Sequence, residues 1–294
     1  MSKEEIRFSF GGDEHLFAEV SEAMSLNSFF RGLEITQALE AENIEGILDI
    51  CLANASFQVR FNPDLVEPLK LLEKVKQIAA TATGDTGVLD TRIVEIPVLY
   101  NDPWTHETLM RFRDRHQDPS GSDLDYAARI NGYHDKDEFI AAHSESPWFV
   151  SMVGFVAGLP FMFQMVEQQK QLEVPKYLSP RTDTPKQTLG HGGCFGCIYS
   201  VRGAGGYQMF GITPMPIYDP AQKMSYLDES MVFFRTGDIV KFKPIDRAEY
   251  DDILKQVEEG NYRPTIKPAS FDLTEFLANP ETYKHQMMEA LYVD

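Results

Sequence analysis

The chain has 294 residues, 43% apolar and 12% aromatic, the composition of a folded protein with one large or two modest cores. Its formal net charge is −18, from 45 acidic against 27 basic residues, and no stretch clusters Lys and Arg as phosphate neutralisation requires. These numbers argue against a nucleic-acid binder and against adsorption on anionic lipid, and no apolar run is long enough to span a bilayer.

The opening residues, MSKEEIRFSFGGDEHLF, hold no apolar signal core, and Cys51, Cys194 and Cys197 make no disulfide framework in a chain this long. A cytoplasmic location is expected. Residues 6–10 alternate apolar and polar and end at Gly11-Gly12, as a strand does. Residues 26–41 carry helical spacing, with Phe29, Phe30, Leu33, Ile35 and Leu39 on one face. Two β-rich segments follow, 46–52 and 57–61, then a helix over 65–80 with Leu69, Leu72, Val75 and Ile78 as its stripe, and a strand over 92–100. Strand, helix, two strands, helix, strand is the order of a ferredoxin-like domain over residues 1–100.

Residues 101–148 read as a polar helical connector, with short helices over 107–116, 124–130 and 135–143. From Phe149 the helical period disappears. The segments VSMVGF, GCIYSV, GYQMFGI and VKFKPI, broken by Gly and Pro, predict a closed or nearly closed β-barrel over 149–246. A helical tail is expected over 247–294. The fold class is therefore α+β.

The most conspicuous motif is GHGGCFGC at 190–197. A structural zinc site needs about four ligands, and His191, Cys194 and Cys197 have no second pair, since Cys51 lies in another predicted domain. A redox dithiol sits at a helix N-terminus, whereas this one runs into the strand-like Ile198-Tyr199-Ser200-Val201. Packing within the barrel is the expectation for both cysteines, and no metal is assigned. The glycines of this motif, with Gly203, Gly205 and Gly206, belong where backbone approaches a ligand or a neighbour closely. No phosphate-binding loop or dinucleotide fingerprint is present.

PWFVSMVGFVAGLPFM (147–162), LSPRTDTPKQTLGHGGCFGCIYS (178–200), GAGGYQMFGITPMPIYDP (203–220) and FRTGDIVKFKPI (234–245) follow one another as in the KipI-like family, which this chain resembles over nearly its whole length. That family includes the first half of the carboxyltransferase domain of urea carboxylase, one of the subunits of bacterial 5-oxoprolinase, allophanate hydrolase subunit 1 and the kinase inhibitor KipI. The insert NDPWTHETLMRFRDRH and the CIYS motif lean towards urea carboxylase. The resemblance implies a ferredoxin-like domain followed by a cyclophilin-like β-barrel. It implies a carboxyltransferase-type subunit of an ATP-dependent, biotin-dependent carboxylase or amidohydrolase complex, acting on a urea-like, amide or ketone acceptor. It also implies a KipA-like partner subunit, further biotin carboxylase or ATPase subunits, carboxybiotin supplied by a partner and ATP used elsewhere in the complex. No cofactor is expected on this chain itself, which carries no biotin-carrier Met-Lys motif. The competing expectation is a KipI-type regulator that binds a kinase without catalysis.

Carboxyl transfer needs a dry pocket, donors for developing oxyanions and a binder for the acceptor. Arg181 has the fork that grips a carboxylate or amide oxygen in bidentate fashion. His143 matches a family histidine and is the second catalytic candidate. Thr182, Gly205, Gly206, Tyr207, Gln208 and His191 are the substrate-binding candidates, the glycines through their backbone N–H groups. Three departures from the family pattern bear on this pocket: Ile212 stands where a basic residue is common, Asp183 where Arg or Tyr is common, and Ala157 replaces a proline.

Overall fold

The computed structural model describes residues 5–85 and 87–292. Two compact units divide the chain: one runs to Leu89 and takes in Phe271–Ala278, and the other holds Asp90–Ser270 and the residues from Asn279 on.

The first unit pairs strands β1 (Arg7–Gly11), β2 (His15–Glu19), β3 (Ile47–Ala53) and β4 (Ser56–Phe61) in the antiparallel order β1-β2-β4-β3. Helices α1 (Leu26–Ala41) and α2 (Pro68–Thr81) close its core, in which Leu16, Ile35, Phe57, Val59, Phe61 and Val75 are completely buried. Ser25 caps α1, its side chain accepting from the Ser28 N–H. Pro68 opens α2 at the position where its missing N–H costs nothing, three residues later than the sequence spacing predicts. The buried face of α2 is consequently Leu71, Val75 and Ala79, and Leu69 points to solvent.

The strand expected to complete this sheet lies elsewhere. β5 (Val88–Tyr100) belongs to an eight-stranded sheet, and the four-stranded sheet is completed instead by β2, the second arm of a hairpin turned at Gly12. The reason is burial. Ile93, Val94, Ile96 and Val98 are all fully buried, so β5 needs neighbours on both sides and cover on both faces, as a sheet edge cannot supply.

The second unit is built on that sheet. Its other strands are β6 (Pro147–Val153), β7 (Pro160–Gln164), β9 (Thr188–Gly192), β10 (Phe195–Ile198), β12 (Gln208–Ile212), β13 (Ile239–Pro244) and β14 (Ile266–Asp272). The order is β12-β9-β10-β7-β6-β13-β5-β14, and β12 also pairs with β5, so seven strands follow one another in a closed circuit of pairings. β13 runs parallel to β5 and antiparallel to β6. A separate two-stranded ribbon joins β8 (Arg181–Thr184) to β11 (Gly203–Gly205).

Residues 101–148 are part of this unit and supply its core. Helix α3 (Pro103–Arg111) starts under the Asp102 cap, followed by α4 (Asp123–Ile130) and α5 (Lys136–Glu145). Leu124, Ala127 and Phe139 from these helices pack in one cluster with Trp148, Met162, Phe210 and Phe242 of the strands. After β13 come α6 (Arg247–Glu258), the strand β14 where a looping tail is predicted, and helices α7 (Leu273–Ala278) and α8 (Pro280–Tyr292). Among the described residues no helix is long and apolar enough to cross a membrane.

Candidate functional site

The second unit contains a cavity of about 300 Å³, open to solvent and mostly apolar. Tyr177, Tyr199, Tyr207, Phe161 and Leu159 form its wall, Gly205 and Gly206 its backbone side, and Phe155 and Lys176 stand at its lining too. The glycines of the 190–197 motif explain the tyrosines. A Cβ on Gly192 would lie 2.6 Å from Tyr207 Cε1, and one on Gly205 would lie 2.5 Å from Tyr199 Cε1. Both rings occupy space that only glycine leaves free. The Lys176 ammonium lies 5.2 Å from the centre of the Tyr207 ring, a cation–π distance.

Arg181 stands against this wall. The β8–β11 register sets it opposite Gly205, and its guanidinium carbon lies 4.3 Å from the centre of the Tyr177 ring. It is completely buried, with Nε donating to Thr184 Oγ1 at 3.2 Å and both terminal nitrogens without a hydrogen-bond partner. A buried guanidinium with two unused nitrogens is costly unless a ligand engages them. Its charge also reaches the cavity wall, opposing the rise that burial imposes on the Tyr177, Tyr199 and Cys197 hydroxyl and thiol groups.

Behind the Tyr177 wall lies the buried Asp123, at the start of α4. Burial works to raise its pKa, and it is surrounded by donors. The Tyr177 hydroxyl donates to Oδ1 at 2.6 Å, the Met209 N–H donates to Oδ2 at 2.6 Å, and His116 Nε2 lies 3.4 Å from Oδ1. His116 Nε2 faces Gln208 Oε1 at 2.8 Å, while Gln208 Nε2 donates to the carbonyls of Pro175 and the Gln117 side chain. That amide orientation places the imidazole proton on Nε2, and Nδ1 accepts from the Asp118 N–H at 2.8 Å.

The candidates from sequence therefore separate. Gly205, Gly206 and Tyr207 line the cavity and Arg181 stacks on its Tyr177 wall. Gln208 is buried in the His116 network and not on the cavity wall. Thr182 is exposed and alternates away from Arg181 along β8, as period-two strand geometry requires. His143 and His191 lie in the hydrophobic core, not at the cavity. His143 Nδ1 is 2.9 Å from the Tyr100 hydroxyl, and its ring packs on Trp148 and Phe242. His191 stacks on Phe210 with Nε2 against the Leu172 and Gly193 carbonyls. Burial lowers the pKa of both, His191 to about 4, so both are neutral packing groups at pH 7.

The three departures from the family pattern fall into place in the same geometry. Ile212 packs with Ile245, Tyr250 and Ile253 beneath α6, away from the cavity. Asp183 is held between Arg202 (2.6 Å) and Arg111 (2.8 Å), which keep its carboxyl well below the usual range. The Ala157 carbonyl accepts from Ser200 Oγ at 2.6 Å. Burial pushes the Cys197 thiol up to about 12, far from a redox thiolate, and Cys194 is raised as well. Among the described residues no three His, Cys, Asp or Glu side chains are placed to hold a metal ion. Sequence reasoning missed Tyr177, Tyr199, Phe161, Asp123 and His116 as site residues; the visible signal was their place in motifs, Tyr199 inside CIYS and Tyr177 one residue before LSPR.

The comparisons with known proteins agree with this architecture. The urea carboxylase of Kluyveromyces lactis has the same fold, with a TM-score of 0.85 over 98% of this chain and 26% of that one, at 20% identity. A 5-oxoprolinase subunit from Bacillus subtilis is 32% identical over 162 residues, 55% of this chain and 57% of that protein. The urea amidolyase of Lachancea kluyveri is 23% identical over 90% of this chain, which spans only 15% of that enzyme. Residues 6–227 match the carboxyltransferase domain, subdomains C and D, and the chain belongs to that family.

Proposed function

We propose that this chain is one half of a carboxyl-transfer site, completed by a KipA-like partner subunit within an ATP-dependent, biotin-dependent complex. The relatives named as a 5-oxoprolinase subunit, a urea carboxylase and a urea amidolyase support that reading. The observation that carries it is the buried, unpartnered guanidinium of Arg181 behind an aromatic cavity. Under this reading the seven-strand circuit is a cyclophilin-like barrel, and the acceptor is a urea-like, amide or ketone molecule.

The residues present suit a planar group carrying a carboxylate. Tyr199, Tyr207 and Phe161 offer flat apolar contact, and behind the Tyr177 wall the two terminal nitrogens of Arg181 are a pair of donors of the kind carboxylates take. Carboxybiotin delivered by a partner would supply the activated carboxyl. The work left to this chain is to bind and orient. Arg181 fixes a carboxylate or acceptor oxygen, the aromatic wall excludes water, and the Tyr177 ring, its hydroxyl held by Asp123, backs the guanidinium.

The test is the complex of this chain with its KipA-like partner and biotin-bearing subunits, assayed for ATP consumption with urea, guanidine, 5-oxoproline and ketones. One acceptor should drive turnover, and Arg181→Ala should cut it by roughly 100-fold, the usual loss of one preorganised donor, with assembly intact. Acceptor-independent ATP use, or full turnover by the variant, would sink the proposal.

A further inference from the structure

The segment Gly154–Leu159 carries a feature that the carboxyl-transfer reading leaves unexplained. Phe155 lines the cavity, is 73% exposed and has φ of 71°, in the left-handed region that bulky side chains avoid. Its surroundings are fixed. The Gly154 N–H donates to the Leu159 carbonyl at 2.9 Å, the Leu159 N–H to the Val156 carbonyl at 3.2 Å, and Ser200 holds the Ala157 carbonyl. Leu159 is buried. Within a pinned turn, the aromatic side chain is the free element. Phe161, by contrast, meets Tyr207 edge-on at 6.2 Å, whereas Phe155 has no ring partner among the described residues. Strained backbone holding an exposed aromatic at a cavity is retained when the side chain has a contact to make there.

We propose that the Phe155 ring closes over the planar group that occupies the cavity, which makes it a ligand-contacting, specificity-determining residue. The identity of the occupant rests on the carboxyl-transfer reading; the cap itself does not.

Two measurements test it. In the assembled complex, Phe155→Ala should raise KM for the accepted acceptor roughly tenfold, the scale of one lost apolar contact, with a smaller change in kcat. Phe155→Gly should do the same while raising the Tm of the free chain by about a few degrees, because glycine relieves the left-handed strain. A residue that only supports the fold would move activity and stability in the same direction. Independently of turnover, Cys197 lies in the same cavity and reports access to it. In a Cys51→Ser, Cys194→Ser background, methyl methanethiosulfonate at alkaline pH should modify Cys197 several-fold faster once Phe155 is Ala or Gly. Unchanged labelling across both variants overturns the cap. If no acceptor supports turnover, the carboxyl-transfer reading fails and the labelling rates still decide the role of Phe155.

Discussion

Gly205→Ala is the sharpest test of how the cavity wall is built. The added methyl would lie 2.5 Å from Tyr199 Cε1 and 2.6 Å from Cζ, where ordinary contact begins near 3.4 Å. Tyr199 is only 4% exposed, so its ring has no free space to retreat into except the cavity. Overpacking of this kind costs about 1–3 kcal/mol. In a domain of this size that is a fall in Tm of roughly 2–10 °C, readable by calorimetry or from the urea midpoint. Gly203→Ala on the same strand is the control: nothing lies within 4 Å of its new methyl, and its stability should stay within about 0.5 kcal/mol of the parent. Truncating Tyr199 to Ala should abolish most of the Gly205→Ala penalty, because the two residues compete for one space. If Gly205→Ala is as stable as Gly203→Ala, or its cost survives the loss of Tyr199, the account of these glycines is wrong.

Other outcomes follow from the same geometry. His191, with its pKa held near 4 by burial, binds a proton in the unfolded chain below about pH 6.5 but not in the folded one. The unfolded state therefore carries more protons between pH 6.5 and 4, so stability falls as pH drops through that window, by roughly 3 kcal/mol from His191 alone. His191→Phe should flatten that part of the urea-midpoint profile, and an unchanged slope would refute the assignment. Leu71, fully packed in α2, should cost about 2–5 kcal/mol when changed to Ala, while exposed Leu69 should cost less than about 0.5 kcal/mol; denaturation midpoints that rank them the other way would contradict the buried face of α2. Tyr177→Phe removes a hydroxyl donor from buried Asp123 and should destabilise the fold by about 1–3 kcal/mol in equilibrium unfolding; a neutral result would mean the pair is not formed.

Much of this architecture is legible in the residues, and the misses have physical causes. Helix α1 falls on the range its periodicity predicts, because Ser25 caps it and its buried face runs at helical spacing from Leu26 to Leu39. The face of α2 escapes the sequence pattern because Leu69 and Leu71 are both apolar, and only the helix start at Pro68 decides which of them turns inward. β5 pairs outside the sheet that its chain order suggests because strand pairing is non-local: periodicity reveals a strand but not its neighbours. Residues 101–148 resemble a connector since their surface is highly charged, yet Leu124, Ala127 and Phe139 bind α4 and α5 to the core, and Leu109 of α3 packs with Tyr177 and Met209. At the site, motifs point to Arg181 and to the Gly205–Tyr207 turn, but a histidine looks the same in sequence whether it faces a ligand or a Trp. Chemistry recommends His143 and His191, and burial among Trp148, Phe210 and Phe242 decides otherwise.

The arrangement around Arg181 bears on what the cavity asks of its ligand. A lone buried cation would demand a full counter-charge from whatever binds. Here Asp123 lies behind the same wall: it accepts from the Tyr177 hydroxyl, and the guanidinium stacks on the Tyr177 ring. Both terminal nitrogens of Arg181 lack hydrogen-bond partners, so this cluster is short of acceptors. Under the proposed function, a neutral acceptor oxygen and a carboxylate both meet that shortage, and the carboxylate gains more from the Lys176 ammonium at the cavity lining. Under the same proposed function, donors fixed in place before a ligand arrives need no reorganisation when negative charge develops on an oxygen. That is the condition under which electrostatic stabilisation is most effective.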